Sequence, residues 1–475
     1  MGRGANGGRK ERRYDVEGCR LPSVWDVDAL RREMDSLGVA WSHSCALLGY
    51  LARHPEVTEW SGVDWAKGFR CDLPARFVRE VQGRFACRSS QLASRHDSGD
   101  GSTSKLVVAL RDGKCVEAVV MRHGTLRSRR VTVCVSSQVG CAMRCSFCAT
   151  GTMGMNGDLT RGEIVEQVLF AKGLEPRLRN VVFMGMGEPL NNYDEVLGAC
   201  RCLFDDKWLA LGAGKVTIST VGVADRIATL AADEPRANLA LSLHAPTQAD
   251  RVRIMPAAHK YDLPDLVAAL DAYVATKLAK HPGKHDKKAK ADSKAKAPQP
   301  LVMVEYILLG GVNDTLDHAE ALGALLVPDR GAPRWGGHFM VNLIAYNPTP
   351  DLPYDRPTDD AVHAFQKAVQ AHGILTCVRI TMGSDVAGAC GQLLKETDHA
   401  KKKQPPPDVE DAVPGLPRKR PKPPPVPKRA AAAIAATAAA ADRDRRRRAA
   451  LAALLAAAGL AAAALALAAP RASPS

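Results

Sequence analysis

The sequence predicts an α/β protein: a partial (β/α)6 barrel, preceded by a small helical N-terminal domain and followed by a low-complexity C-terminal tail. Three observations lead there. Between residues 131 and 394, short apolar runs alternate with segments whose apolar residues recur at helix spacing, and such alternation predicts parallel β/α units. Between residues 25 and 85 only the helix period is present. Beyond residue 394 the composition collapses to Pro, Ala and basic residues, which supply too little apolar surface for a core.

The elements follow in chain order. Residues 1–16 are basic and Gly-rich, with no apolar segment behind them, so they read as disordered rather than as a secretory signal. Residues 17–95 are expected to form the helical domain, an accessory to RNA binding under the resemblance described below. ALRREMDSLGV and LPARFVREVQGRF carry the helix period, and Asp72, ahead of Leu73 and Pro74, is the expected start of the second. RSSQLASRHDSGDGSTS reads as a polar connector. In KLVVALRDGKCVEAVVMRH two apolar runs flank Asp112-Gly113, a hairpin; connector and hairpin are assigned to 96–130.

The barrel is assigned to 131–394. RRVTVCVSS is its first strand. LTRGEIVEQVLFAKG is a helix, with Thr160 and Glu163 at capping-box spacing. NVVFMGMG reads as a buried strand and YDEVLGACRCLF as a helix, and KVTISTVG, NLALSLHA, LVMVEYILL, HFMVNLIAYN and LTCVRITMG read as further strands. Residues 281–300 interrupt this order with a Lys-rich stretch almost devoid of large apolar side chains, expected to be a disordered surface insertion. In the tail, 395–475, residues 449–469 carry no charge for 21 residues, long enough to cross a bilayer. That run is Ala-dominated and weakly driven to insert, so low-complexity helix or disorder is expected and a membrane span is not.

The net charge of +14 is unevenly placed. Residues 401–475 carry +10 and residues 277–296 carry +6, which leaves the rest near neutral. Such runs either bind phosphate backbones non-specifically or act as solvated linkers. Thirteen cysteines scattered through a long chain without a secretory signal point to a reducing compartment.

Three of those cysteines carry the chemistry. Cys141, Cys145 and Cys148 stand as C-x-x-x-C-x-x-C in GCAMRCSFCATG, directly after the first barrel strand. Three thiolates at this spacing can hold three corners of a [4Fe–4S] cluster and leave one iron without a protein ligand, open to chelation by the amino and carboxylate groups of S-adenosylmethionine (SAM). The competing reading is a zinc site with a fourth ligand elsewhere. Functional groups of β/α barrels gather at the C-terminal ends of the strands, and this loop sits at such an end. One unit later, FMGMGEP offers glycines that allow close approach of a ligand and a carboxylate, Glu188, that can accept from an ammonium group.

VCVSSQVGCAMRCSFCATG, NVVFMGMGEPL, VTISTVGV, LSLHAP, NLIAYNP and AGACGQL occur in the order and context found in the RlmN-type dual-specificity RNA methyltransferases, a radical SAM family that the chain resembles over about residues 25–394. The resemblance is weaker in the N-terminal part and excludes the insertion and the tail. It implies methylation of C2 of adenosine in ribosomal RNA, transfer RNA or both. In the family's route one SAM methylates a cysteine, a second is cleaved reductively, and the activated methyl carbon joins the adenine ring. A base then removes the ring proton, and a second thiol resolves the protein–RNA adduct as a disulfide. On this sequence the resemblance places the methyl carrier at Cys390, the resolving thiol at Cys134, the proton acceptor at Glu117 and the cluster on Cys141, Cys145 and Cys148. Contacts to SAM fall on Gly187, Glu188, Ser219, Ser242, Leu243, His244 and Asn347. A flavodoxin- or ferredoxin-like electron donor, a monomer and a cytoplasmic location, with an organelle as the alternative, complete the expectation. The rival functions are C8 methylation of adenosine and a non-catalytic RNA-binding or assembly factor on the same fold.

Overall fold

The computed structural model of the protein describes residues 21–69, 72–124, 130–280, 300–328, 333–349 and 352–393. The expectations for 1–16, for the insertion up to residue 299 and for 395–475 concern residues outside that set.

Three helices open the described chain: α1 (Val27–Ser36), α2 (Trp41–Arg53) and α3 (Ala75–Arg84). Each buries a stripe at i, i+4 spacing, Leu30 and Met34 on α1, Leu47 and Leu51 on α2, Phe77 and Val81 on α3, so the helix period of this region is a packing period. Asp72 does not start α3. Pro74 stays extended (ψ 135°), and the helix opens at Ala75 with no side-chain cap.

The polar segment read as a connector instead contains a strand. Four antiparallel strands run β1 (Gln91–Asp97), β2 (Thr103–Ala109), β3 (Cys115–His123) and β4 (Arg130–Cys134). β1 is an edge strand and mostly exposed, which is why its residues look like a linker. β2 and β3 form the expected hairpin, with Gly113 at φ +79° in its turn.

From β4 the architecture becomes β/α. A short antiparallel pair, β5 (Gln138–Gly140) and β6 (Met155–Asp158), brackets the cysteine loop and the one-turn helix α4 (Ala149–Thr152). The chain continues α5 (Arg161–Leu174), β7 (Leu178–Phe183), α6 (Tyr193–Phe204), β8 (Val216–Thr220), α7 (Ala224–Asp233), β9 (Asn238–Ser242), α8 (Gln248–Ile254), α9 (Leu263–Lys280), β10 (Val302–Leu308), α10 (Leu316–Leu326), β11 (Phe339–Ala345), α11 (Asp359–Ala371) and β12 (Thr376–Val378). The capping box at the start of α5 forms with both of its bonds. One sheet runs β1-β2-β3-β4-β7-β8-β9-β10-β11-β12, and every pairing from β4 to β12 is parallel. The six β/α units end on a seventh short strand, and the sheet stays open between its two edges.

The two faces of this sheet differ. Val133, Val181, Ile218, Leu239, Val304 and Val341 are buried in the apolar core. Their neighbours Thr132, Asn180, Thr217, Ser242, Glu305 and Asn342 point the other way and line cavities inside the curve of the sheet. A closed β/α barrel fills its interior with branched side chains; this one keeps a polar lumen.

Helix α5 joins the N-terminal helices to the sheet. Buried Glu166 accepts hydrogen bonds from Ser23 Oγ (2.5 Å) and from the N–H groups of Ser89 and Ser90 (2.8 Å each), and Asp26 accepts from Gly162 N–H (2.9 Å).

Candidate active site

The cysteine loop is built first. β4 ends at Cys134, and Cys141 N–H donates to the Gly154 carbonyl (2.9 Å), closing the loop's base beside the β5–β6 pair. Gly140 (φ +75°) lies so close to that carbonyl that a Cβ has no room. Ser146 donates to Ile254 O through both N–H and Oγ (3.0 Å each), tying the loop to the end of α8. Around Cys145 pack Phe147, Ile254, Met255, Ile307 and Leu309, a low-dielectric setting. Burial pushes the Cys141 thiol up to about 12 and Cys145 well above its ordinary value, and the neighbouring loop cysteines raise Cys145 further. Three thiols crowded on one loop, with Cys145 buried and Cys141 and Cys148 half-buried, are ones that metal ligation would deprotonate together. Among the described residues no three His, Cys, Asp or Glu side chains converge on one point closely enough for a single ion. Three soft sulfur donors on one short loop fit three corners of an iron–sulfur cluster.

Arg251 stands behind this loop. It is 1% exposed, donates through Nη2 to Val221 O (2.9 Å) and through Nε to Leu243 O (3.3 Å), and its buried Nη1 has no hydrogen-bond partner among the described residues.

The SAM residues expected from sequence gather at the strand ends. Gly187, Glu188, Ser219, Ser242 and His244 line one cavity, and Cys390 reaches its edge. Gly187 has φ +103°, and a Cβ there would stand 2.6 Å from Gln138 Cβ and 2.8 Å from Gln138 N, so glycine alone fits the turn. Glu188 is 2% exposed and accepts from Leu190 N–H (3.0 Å) and Val221 N–H (2.9 Å). Burial pushes its carboxyl up to about 7, against the lowering effect of these hydrogen bonds. His244 has φ +59°, and its Nδ1 accepts from Ile307 N–H (3.1 Å), which leaves Nε2–H as a donor. Burial pushes His244 down to about 3, so it stays neutral. Leu243 is buried in the core and contributes no side chain to this cavity.

An adjoining cavity is lined by Cys134, Cys390, Asn347, Met184 and Arg379. Cys390 lies on the segment after β12, which is clamped across the strand ends. Gly391 O accepts from Ala149 N–H (2.8 Å), Leu393 O accepts from Thr150 Oγ1 (2.9 Å), and Asp385 Oδ2 accepts from Gly99 N–H (2.9 Å). Asn347 donates to Cys390 O (3.4 Å) and accepts from Thr381 Oγ1 (3.1 Å), so its amide holds this segment in place. Burial first, then Cys390, pushes the Cys134 thiol up to about 12, with Arg379 acting in the opposite sense. Glu117 lines neither cavity. It lies on β3, two residues before the cavity-lining Val119, is 1% exposed and pairs with Lys105 Nζ at 3.3 Å. A solvated strand face is thus not its setting.

Two residues were missed from sequence. Arg379 lines both cavities, and Glu305, held by Asn342 Nδ2 (3.0 and 3.1 Å), lines the first. The signal available was a lone charge inside an apolar strand, Glu305 in VMVEYIL and Arg379 in TCVRI, which parallel-sheet packing admits only toward a lumen.

A family model, the Radical SAM superfamily, matches residues 135–278, the stretch that holds the cysteine loop and Glu188. The chain is 38% identical over 376 residues to a probable dual-specificity RNA methyltransferase RlmN of Opitutus terrae, covering 77% of this chain and 94% of that protein. It is 41% identical to the dual-specificity RNA methyltransferase RlmN of Nitratidesulfovibrio vulgaris, over 72% of this chain and 88% of the relative. The chain belongs to the RlmN family. A crystal structure of a radical SAM methyltransferase from Sphaerobacter thermophilus superposes with a TM-score of 0.65 at 33% identity, covering 78% of this chain and 99% of that one. As an RlmN-family radical SAM protein its cofactors are a [4Fe–4S] cluster and SAM. Among the described residues no helix is long and apolar enough to cross a membrane.

Proposed function

We propose that this RlmN-family protein methylates C2 of an adenosine in ribosomal RNA, transfer RNA or both, through a methylated cysteine and at the expense of two SAM molecules. The observation that carries the reading is the shared cavity of Cys134 and Cys390, two thiols outside the cluster motif that meet beside the cavity of Glu188, Ser219 and Ser242. Carbon 2 of adenine is electron-poor, so direct displacement on a sulfonium methyl does not serve it. A [4Fe–4S] cluster with SAM, when bound, supplies one-electron chemistry that activates an otherwise inert C–H bond.

The residues divide the work. Cys141, Cys145 and Cys148 would hold the cluster. Glu188 would take the ammonium group of SAM in its buried carboxylate, Gly187 would let the backbone approach, and the neutral His244 would donate from Nε2. Ser219 and Ser242, 3.3 Å apart through their hydroxyls, would supply further polar contacts, with Leu243 contributing only backbone. Cys390 would carry the methyl carbon and bond it to adenine. Glu117 would take the ring proton, with Lys105 Nζ 3.3 Å from its carboxylate. Cys134 would then attack the Cys390 sulfur, releasing methylated RNA and leaving a disulfide for a reductant to reopen. Arg379 lines the same cavity and acts against the burial that raises the Cys134 thiol. A flavodoxin- or ferredoxin-like protein would supply electrons.

The test is nucleoside analysis of total RNA after incubation with the anaerobically reconstituted protein, SAM and a reductant. 2-Methyladenosine is expected, and 8-methyladenosine would reassign the regiochemistry. Cys390→Ala should abolish the product; a binding or assembly factor would be indifferent to it.

A further inference from the structure

A third cavity continues the lumen away from the cysteine loop. It shares Met184, Glu305 and Arg379 with the cavity of Glu188, and Met121, His123 and Ile380 with the cavity of Cys134 and Cys390. The three form one passage. Its far end lies at the N-terminal ends of β4 and β8, where Arg130 and Lys215 are exposed. His123 stands directly opposite Arg130 across the β3–β4 ladder.

The charges there do not balance. Arg130, Lys215 and Arg379 line the cavity against a single carboxylate, Glu305, which is held by Asn342. Arg130 and Lys215 form no ion pair among the described residues. Three cations lining one cavity against a single carboxylate leave it with an excess of positive charge, which suits an anion. The opposite end of the passage is roofed by the Cys390 segment, clamped on Ala149, Thr150 and Gly99. The basic end therefore lies on the side away from the segment that carries Cys390. Along it, Met121, Met184 and Met303 offer soft apolar surface to a base, and Ile380, 81% exposed, stands at the junction with the Cys134 cavity.

We propose that RNA enters the barrel from the end bearing the N termini of β4 and β8, with Arg130 and Lys215 holding phosphodiesters that flank the target adenosine while its base, out of the stack, passes along the lumen to Cys390. This rests on the RNA methyltransferase reading and adds to it a direction of approach and a phosphate clamp. Extrusion of a base leaves its backbone outside the pocket, so cations belong at the rim and apolar side chains within.

The experiment measures binding of a short stem-loop RNA with one loop adenosine to the full-length reconstituted protein over a series of salt concentrations. The double substitution Arg130→Ala, Lys215→Ala should weaken binding at least tenfold and reduce the slope of log K against log salt by about 0.7 per charge removed. Arg130→Lys, Lys215→Arg should restore both, which separates loss of charge from loss of fold. Arg201→Ala, an exposed cation on α6, should leave the slope unchanged. An unaltered slope in the double variant overturns the proposal. So does unchanged RNA affinity with slower cluster reduction by an acidic protein donor, which would make this face a reductant dock. Because the readout is binding, wild-type protein that binds the RNA in this manner and never methylates adenosine would sink the catalytic reading alone.

Discussion

Glu188 shows how a single residue acquires a task. Its carboxylate is buried, two backbone N–H groups hold it in place, and burial nevertheless makes the charged form costly. An arriving ammonium reverses that cost, because a charge-assisted bond in a dry site exceeds the same bond in water. Glu188→Gln keeps one acceptor and removes the charge, so the dissociation constant for SAM should rise ten- to a hundredfold, about 1.4–2.8 kcal/mol. Calorimetry on the reconstituted protein measures this, and an unchanged constant would remove Glu188 from the site. The three loop cysteines stand out in sequence because their spacing is local, whereas Cys390 was singled out only through the family resemblance. Arg379 and Glu305 were not, since which face of a strand looks into a lumen is set by the curvature of the whole sheet.

At the scale of elements, the join between the N-terminal helices and α5 carries a pH dependence. Asp26, just before α1, accepts from Gly162 N–H, and burial raises its carboxyl from its ordinary value of 3.8 to about 6. The folded state therefore holds a proton that the unfolded chain releases between pH about 4 and 6. Stability falls as pH rises through that window and stays lower above it. Asp26→Asn keeps the acceptor and removes the charge. It should stabilise the protein by about 3 kcal/mol at pH 7.5 and by nothing below pH 4, and urea unfolding at the two pH values distinguishes these. The alternation of strands and helices was legible because the barrel strands are short runs rich in Val, Ile and Leu, set between segments with the helix period. β1 was not, because an exposed edge strand lacks that run. β12 is shorter than its apolar stretch suggested, ending at Val378 just before Arg379.

For the whole molecule, charge is segregated from chemistry. The tail from residue 405 has twelve basic and five acidic residues. Deleting 405–475 should leave thermal unfolding of the remainder unchanged. It should lower affinity for any RNA at low salt, flatten the salt dependence, and leave turnover at saturating RNA unaltered. A fall in saturated turnover would instead tie the tail to catalysis.

The sequence by itself determined the cysteine loop, the Gly-Glu turn and the order of β/α units, because each depends on residues close together along the chain. Only the tertiary structure decided that Cys134 and Cys390 share a cavity, that Glu117 is buried against Lys105, and that the barrel keeps a polar lumen with a basic end. Those are distances between residues far apart in sequence, set when ten strands pair in one register and curve, and no local pattern records that curvature.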